Sequence, residues 1–226
     1  MDLLTNILAA TMVAGTPLLL VALGELICER SGVLNLGQEG MMLMGAVAGF
    51  IATLSTGSLA AGVVVAMLTG LAMSMLFAVM AVTLSANQYA AGLALTIFGT
   101  GLSAFVGAGF VGQSIEGFEK IAIPLLSDLP VLGRALFTQD LLVYFSWLVF
   151  AGVALFLRFS RGGLVLRAVG ESPGAANANG LRVLTVRYLA VAFGGAMAGL
   201  AGAYLSLAYT PMWTENMTSG RGWVAL

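Results

Sequence analysis

The sequence predicts an all-α fold, a polytopic transmembrane helical bundle, and three observations carry that prediction. Of 226 residues, 60% are hydrophobic and 8% are charged, with a mean hydropathy of +1.02. A soluble domain of this size needs far more charge to cover its surface, so its solvent is lipid. The apolar residues also gather into runs close to the about 20 residues that a spanning helix requires. Finally, glycine is abundant (30) and proline scarce (5). In lipid, small residues take over from the hydrophobic effect as the reason helices associate, because backbones can then approach closely.

Taken in order, the runs fall at about 6–27, 41–56, 59–84, 90–111, 141–158 and 186–209, giving about six spans. The start, MDLLTNILAA, lacks the positive charge of a signal peptide, so the first run reads as a retained span. The second run is short, which leaves open a broken or re-entrant element; the third is long enough to span with tilt. Cys28–Gly40 is polar and punctuated by glycine, and Gly112–Asp140 is weakly amphipathic. Small residues recur four apart at Gly45/Gly49, Gly62/Ala66/Gly70 and Gly195/Gly199/Ala203, a pattern that implies tight helix packing. Residues 1–226 read as one domain, and the halt at WVAL, inside a new apolar run, predicts an incomplete chain.

Five of the nine basic residues (Arg158, Arg161, Arg167, Arg182, Arg187) lie between 158 and 187, beside the single acid Glu171. The bias of Lys and Arg toward cytoplasmic loops puts 159–185 inside. Loop 112–140 sets Lys120 and Arg134 against Glu116, Glu119, Asp128 and Asp140, which suits the opposite side. A strict count then places the N-terminus and the C-terminal tail outside and Cys28–Gly40 inside. A discontinuous second element would reverse the assignment of the first 56 residues.

Composition also excludes several chemistries. With no histidine and Cys28 as the only cysteine, an intrachain disulfide, a Cys/His metal site and His-based nucleophilic catalysis are ruled out. Carboxylates alone remain able to hold a hard cation, but no metal site is assigned. No GxxxxGK[ST] is present, so no nucleotide is cradled in the P-loop manner. A net charge of −1 and a pI near 5.3 give no basic field for nucleic acid. Glu25 and Glu29 stand at helical spacing beside Arg30, and this reads as an interfacial charge cluster, so no catalytic residue is expected.

Polar residues at membrane depth are the candidates for a substrate path, because such residues are costly and tend to line cavities. Glu25 and Glu39 border the first polar break, Asn35 and Gln38 lie within it, and Asn87 and Gln88 open the fourth run. Asn35, Glu39, Asn87 and Gln88 are the path candidates; an ordinary loop with a helix cap at Asn87 explains the same residues. In the basic island, Gly163–Gly170 is compatible with a helix, Pro173 pushes Ser172 out of the α region, and GAANANG resumes a short helix that stops at Gly180. Two short helices across the cytoplasmic face are expected, with an outer surface small enough for close approach by another protein.

Four blocks carry a resemblance: GELICERSGVLNLGQEGMMLMGA (Gly24–Ala46), SANQYAAGLALTIFGTGL (Ser85–Leu102), LRAVGESPGAANANGL (Leu166–Leu181) and MTSGRGWVAL (Met217–Leu226). They resemble the signature blocks of ABC importer permeases of the branched-chain amino acid, ribose and nucleoside type, closest to the nucleoside/simple-sugar branch. The resemblance implies a permease that binds no cofactor itself, ATP being used by a partner ATP-binding subunit on the cytoplasmic side. It further implies a second permease subunit in a heterodimer, an extracytoplasmic substrate-binding lipoprotein, and a multi-pass place in the bacterial inner or plasma membrane. By position, Arg167, Gly170, Glu171, Pro173, Ala176 and Gly180 become the residues that couple to the ATPase. Loop 112–140 and the tail near Trp213–Arg221 become the surface facing the receptor. A branched-chain amino acid importer is the nearest alternative. An ion-coupled secondary transporter normally needs an acid buried midway along a helix, whereas the acids here are expected at helix ends. A non-transporting scaffold explains the packing but not the four blocks.

Overall fold

The structure, a computed structural model, describes residues 2–124, 127, 133 and 136–226; Asp128 and Arg134 of the charge count lie outside the described residues. Six helices among the described residues are long and apolar enough to cross a membrane. They are α1 (Asp2–Arg30), α2 (Gln38–Thr56), α3 (Leu59–Ala78), α4 (Gln88–Gly107), α5 (Leu141–Phe159) and α8 (Val183–Tyr204). Between the last two lie the short helices α6 (Arg161–Glu171) and α7 (Pro173–Ala178), and α9 (Arg221–Val224) follows α8. The all-α bundle is therefore as expected. The one addition is a small antiparallel pair, β1 (Lys120–Ala122) with β2 (Thr138–Asp140), inside the amphipathic loop.

Helix boundaries follow local chemistry. Ser58 Oγ accepts the Ala61 N–H at the start of α3, and Asp140 Oδ1 accepts those of Leu142 and Val143 at 2.9 and 3.1 Å to start α5. These side chains satisfy amides that a helix start leaves unpaired. Gly57, at φ +69, ends α2 by donating its N–H to the Thr53 carbonyl at 2.8 Å. Only a residue without a Cβ adopts that conformation readily.

The core is the contact of α2, α3 and α8, and the small-residue series are its surfaces. A methyl added at Gly45 would stand 2.6 Å from the Gly199 Cα, and one at Gly62 would stand 2.8 Å from the Gly49 carbonyl oxygen. Gly70 and Gly199 likewise abut backbone atoms of the facing helix. The pattern thus serves packing within the chain, at distances that exclude any larger side chain. Outward faces stay apolar, with Phe105 82% and Ile97 74% exposed, as lipid contact demands.

Both ends of the bundle are internally consistent. Arg30–Gly32 packs on Gly170 of α6, and Thr83, just past α3, hydrogen-bonds Tyr188 at 2.5 Å near the start of α8. The chain's first residues and Gly57 therefore lie at the end opposite to α6 and α7, in the relative arrangement of the strict count. The second span is one unbroken helix, Gln38–Thr56, entered through the irregular segment 31–37, and the count is not reversed. Residues 31–37 rise without helical structure from the α6 end, and α2 completes the crossing.

Candidate functional site

Segment 31–37 places backbone at membrane depth, where each peptide group needs a partner from the protein. Surrounding side chains provide them. Glu25 Oε1 accepts the Asn35 N–H at 2.7 Å, Gln88 Oε1 accepts that of Leu34 at 2.8 Å, and Thr96 Oγ1 donates to the Leu36 carbonyl at 3.0 Å. Asn35 Oδ1 accepts the Gly37 N–H at 2.9 Å and so turns the chain into α2. Glu25 Oε2 takes the remaining donor, Gln38 Nε2, at 2.6 Å. Glu25, Asn35 and Gln38 are all buried. Glycine makes room for the segment: a methyl at Gly92 would lie 2.8 Å from the Leu36 nitrogen.

The interfacial cluster expected at Glu25, Glu29 and Arg30 is therefore not found. Glu29 and Arg30 are exposed, whereas Glu25 turns inward, because the helix ends below it and the chain folds back along it. Glu25 still lies in the last two turns of α1, and Glu39 is in the first turn of α2, so these acids stand near helix ends although both are buried.

Glu39, 5% exposed, binds the far end of the chain. Its Oε1 accepts from Thr218 Oγ1 at 2.5 Å and the Gly220 N–H at 2.8 Å, and its Oε2 accepts the Gly222 N–H at 2.6 Å. The tail after α8 consequently turns back into the bundle. Trp213 is fully buried against Leu43, Val47 and Phe50, and Thr218 is fully buried as well. Within the stretch near Trp213–Arg221, Trp213 and Thr218 are thus turned inward, while Thr214, Glu215, Asn216 and Ser219 stay exposed.

The four path candidates thus separate. Asn35 and Glu39 are buried and fully engaged, 31–37 by the one and 218–222 by the other. Gln88 is half-buried and holds Leu34. Asn87 is exposed and caps α4, accepting the N–H groups of Tyr89 and Ala90 at 2.9 and 3.2 Å. Glu25 and Thr218 are the residues that the sequence reading underrated. The spacing Glu25–Asn35 gives no periodic signal, and Thr218 meets Glu39 only in three dimensions.

The basic island folds as two short helices. Ser160 Oγ caps α6 by accepting the Gly163 N–H at 2.8 Å; Ser172, at φ −147, breaks it, and Pro173 starts α7. Gly180, at φ +80, closes the element. Leu166, Val169 and Ala176 are buried beneath, and Gly170 abuts the Arg30 carbonyl. Glu171, Asn177 and Gly180 are exposed, Arg167 and Pro173 half-exposed. Of the six coupling candidates, Gly170 and Ala176 seat the element while the others stand at its surface.

Similarities to known proteins agree with this architecture. TsgC13 of Haloferax volcanii, named for glucose ABC transport as a permease, is 45% identical over all of this chain and 70% of its own length. The guanosine ABC transporter permease NupQ of Bacillus subtilis is 33% identical over all of this chain and 74% of its own. The nucleoside ABC transporter permease NupC of Lactococcus lactis is 32% identical, over 97% and 73%. No solved structure matches. Residues 7–226 match the family described as branched-chain amino acid transport system, permease component, and this chain, with six candidate spans among its described residues, belongs to that family of multi-pass membrane permeases.

Proposed function

We propose that this permease carries nucleosides or simple sugars as one subunit of an ATP-driven importer. The family membership makes it a transporter component, and the relatives named for glucose, guanosine and nucleosides support the substrate class. The observation that carries the coupling part is the α6–Ser172–α7 element, exposed at the basic end of the bundle. There a separate ATPase docks on 162–180, with Glu171, Pro173, Gly180 and Arg167 at the contact and Gly170 and Ala176 holding the element in place. The chain binds no cofactor of its own, and ATP is consumed by that partner. A second permease subunit in a heterodimer completes the path, and an extracytoplasmic substrate-binding lipoprotein delivers to the opposite end. In this conformation Asn35 and Glu39 shape the path from behind, while Asn87 and Gln88 stand at its cytoplasmic mouth.

Glu171→Arg tests the coupling: it should abolish co-purification of the ATPase while membrane insertion persists, and unchanged association sinks the assignment. Uptake by proteoliposomes holding the full complex, with labelled guanosine, glucose and leucine, tests the substrate. Uptake of leucine alone would turn the reading to branched-chain amino acids.

A further inference from the structure

A groove lies at the basic end of the bundle, between α1, α5, α6 and α8. Its volume is about 600 Å³, and every residue lining it is apolar. The buried cluster of Leu23, Ile27, Val153, Leu166 and Ala190 forms its floor. The corner between α5 and α6 shapes it: a methyl at Gly163 would stand 2.3 Å from the Phe156 carbonyl oxygen, so α6 is pressed onto the last turn of α5. At Gly152, by contrast, the missing side chain leaves open space. The sides are open to lipid, with Leu148 67% and Leu189 66% exposed. From Leu148 to Phe156 the groove follows α5 for about 12 Å. That is a little under half of a hydrocarbon core about 30 Å thick.

The outer end of this groove is basic. Residues four apart on a helix share a face, so Arg161 stands one turn before the lining residue Val165 on α6. Arg182, whose carbonyl accepts the Val186 N–H, stands one turn before the lining residue Val186 on α8. Both arginines are exposed, and neither side chain has a hydrogen-bond or ion-pair partner among the described residues. Arg158, in the last turn of α5, adds a third cation, its guanidinium 5.5 Å from the Phe159 ring. Glu29 and Glu171, the exposed acids of this end, pair with none of the three.

We propose that this groove binds an anionic phospholipid of the cytoplasmic leaflet, one acyl chain lying along α5 and the headgroup phosphate meeting Arg161 and Arg182. Charge complementarity selects this occupant. A guanidinium gives phosphate oxygens two parallel hydrogen bonds, and basic pockets between helices on the cytoplasmic side suit anionic headgroups. A zwitterionic headgroup brings a cation of its own and gains less. An apolar helix of another protein fills the slot but leaves the arginines at its end unpaired. The bound lipid bridges α6 and α8, so the anionic leaflet helps to hold the element that carries 162–180. This site is independent of the importer reading above.

The test titrates the assembled complex, in detergent, with dioleoyl phosphatidylglycerol or dioleoyl phosphatidylcholine and counts bound lipid by native mass spectrometry. Wild type should bind one phosphatidylglycerol that Gly152→Trp, which fills the open space, does not. Its Kd should lie at least tenfold below that for phosphatidylcholine, and Arg161→Gln combined with Arg182→Gln should erase this preference. Circular dichroism and the lipid-free thermal midpoint should keep wild-type values, because all three positions are exposed. Equal binding of the two lipids by wild type overturns the inference, and so does a lipid count that neither variant changes. Gly152→Cys supplies the remaining arm. A bifunctional maleimide that links it to another subunit of the complex places a protein in the groove and overturns the lipid assignment.

Discussion

Glu39 gathers three donors from a segment some 180 residues away, and Thr218 and Gly222 are buried with it while Gly220 is half-buried. A hydrogen bond to a charged group contributes about 1.5–3 kcal/mol, and an unmade one leaves its buried donor desolvated. Glu39→Gln keeps the shape but turns an NH₂ toward one of these donors. We expect destabilisation of about 2 kcal/mol, read as a lower thermal midpoint in detergent and faster proteolysis between 211 and 222. A wild-type midpoint would show that the tail is held by Trp213 instead. Asn87 illustrates the opposite case. Its side chain caps α4 from an exposed position, so Asn87→Asp should leave stability intact while Asn87→Ala loses about 1 kcal/mol. Equal loss in both would mean that the amide, not the capping oxygen, is what matters there.

At the scale of elements, the spans were legible because hydrophobic length is a local property. The run expected at 186–209 is the observed Val183–Tyr209, and that at 141–158 is Leu141–Phe159. The helix–break–helix of the basic island was legible too, since Pro173 and Gly180 act on their own backbone. The irregular path of 31–37 was only half visible. Its glycines and polar residues marked a break, but its partners Glu25, Gln88 and Thr96 come from two other helices. Packing between helices gives the test at this scale. Gly199→Leu drives a side chain into the Ala66 backbone, whereas Gly152 has open space around it. Overpacking costs about 1–3 kcal/mol or more. Gly199→Leu should therefore lower the thermal midpoint and expression, while Gly152→Leu should match wild type; equal behaviour would refute the three-helix contact.

For the whole molecule, charge bias and packing give the same two-sided arrangement. Cysteine labelling checks it, because native Cys28 is fully buried and should stay silent. In intact cells Ser55→Cys should react with a membrane-impermeant maleimide, while Asn177→Cys should react only in inside-out vesicles. Labelling of both from one side would overturn the topology.

By itself the sequence determined the all-α class, the six spans, the basic end and the transport family. The first three follow from composition, run length, charge and local backbone constraints, and the family from four blocks that resemble those of ABC importer permeases. Only the tertiary structure decided that Glu25 turns inward, that α2 starts at depth, and that the tail re-enters to bind Glu39. Each of those depends on donors and acceptors far apart in the chain, which lipid compels to find one another because no water is there to replace them.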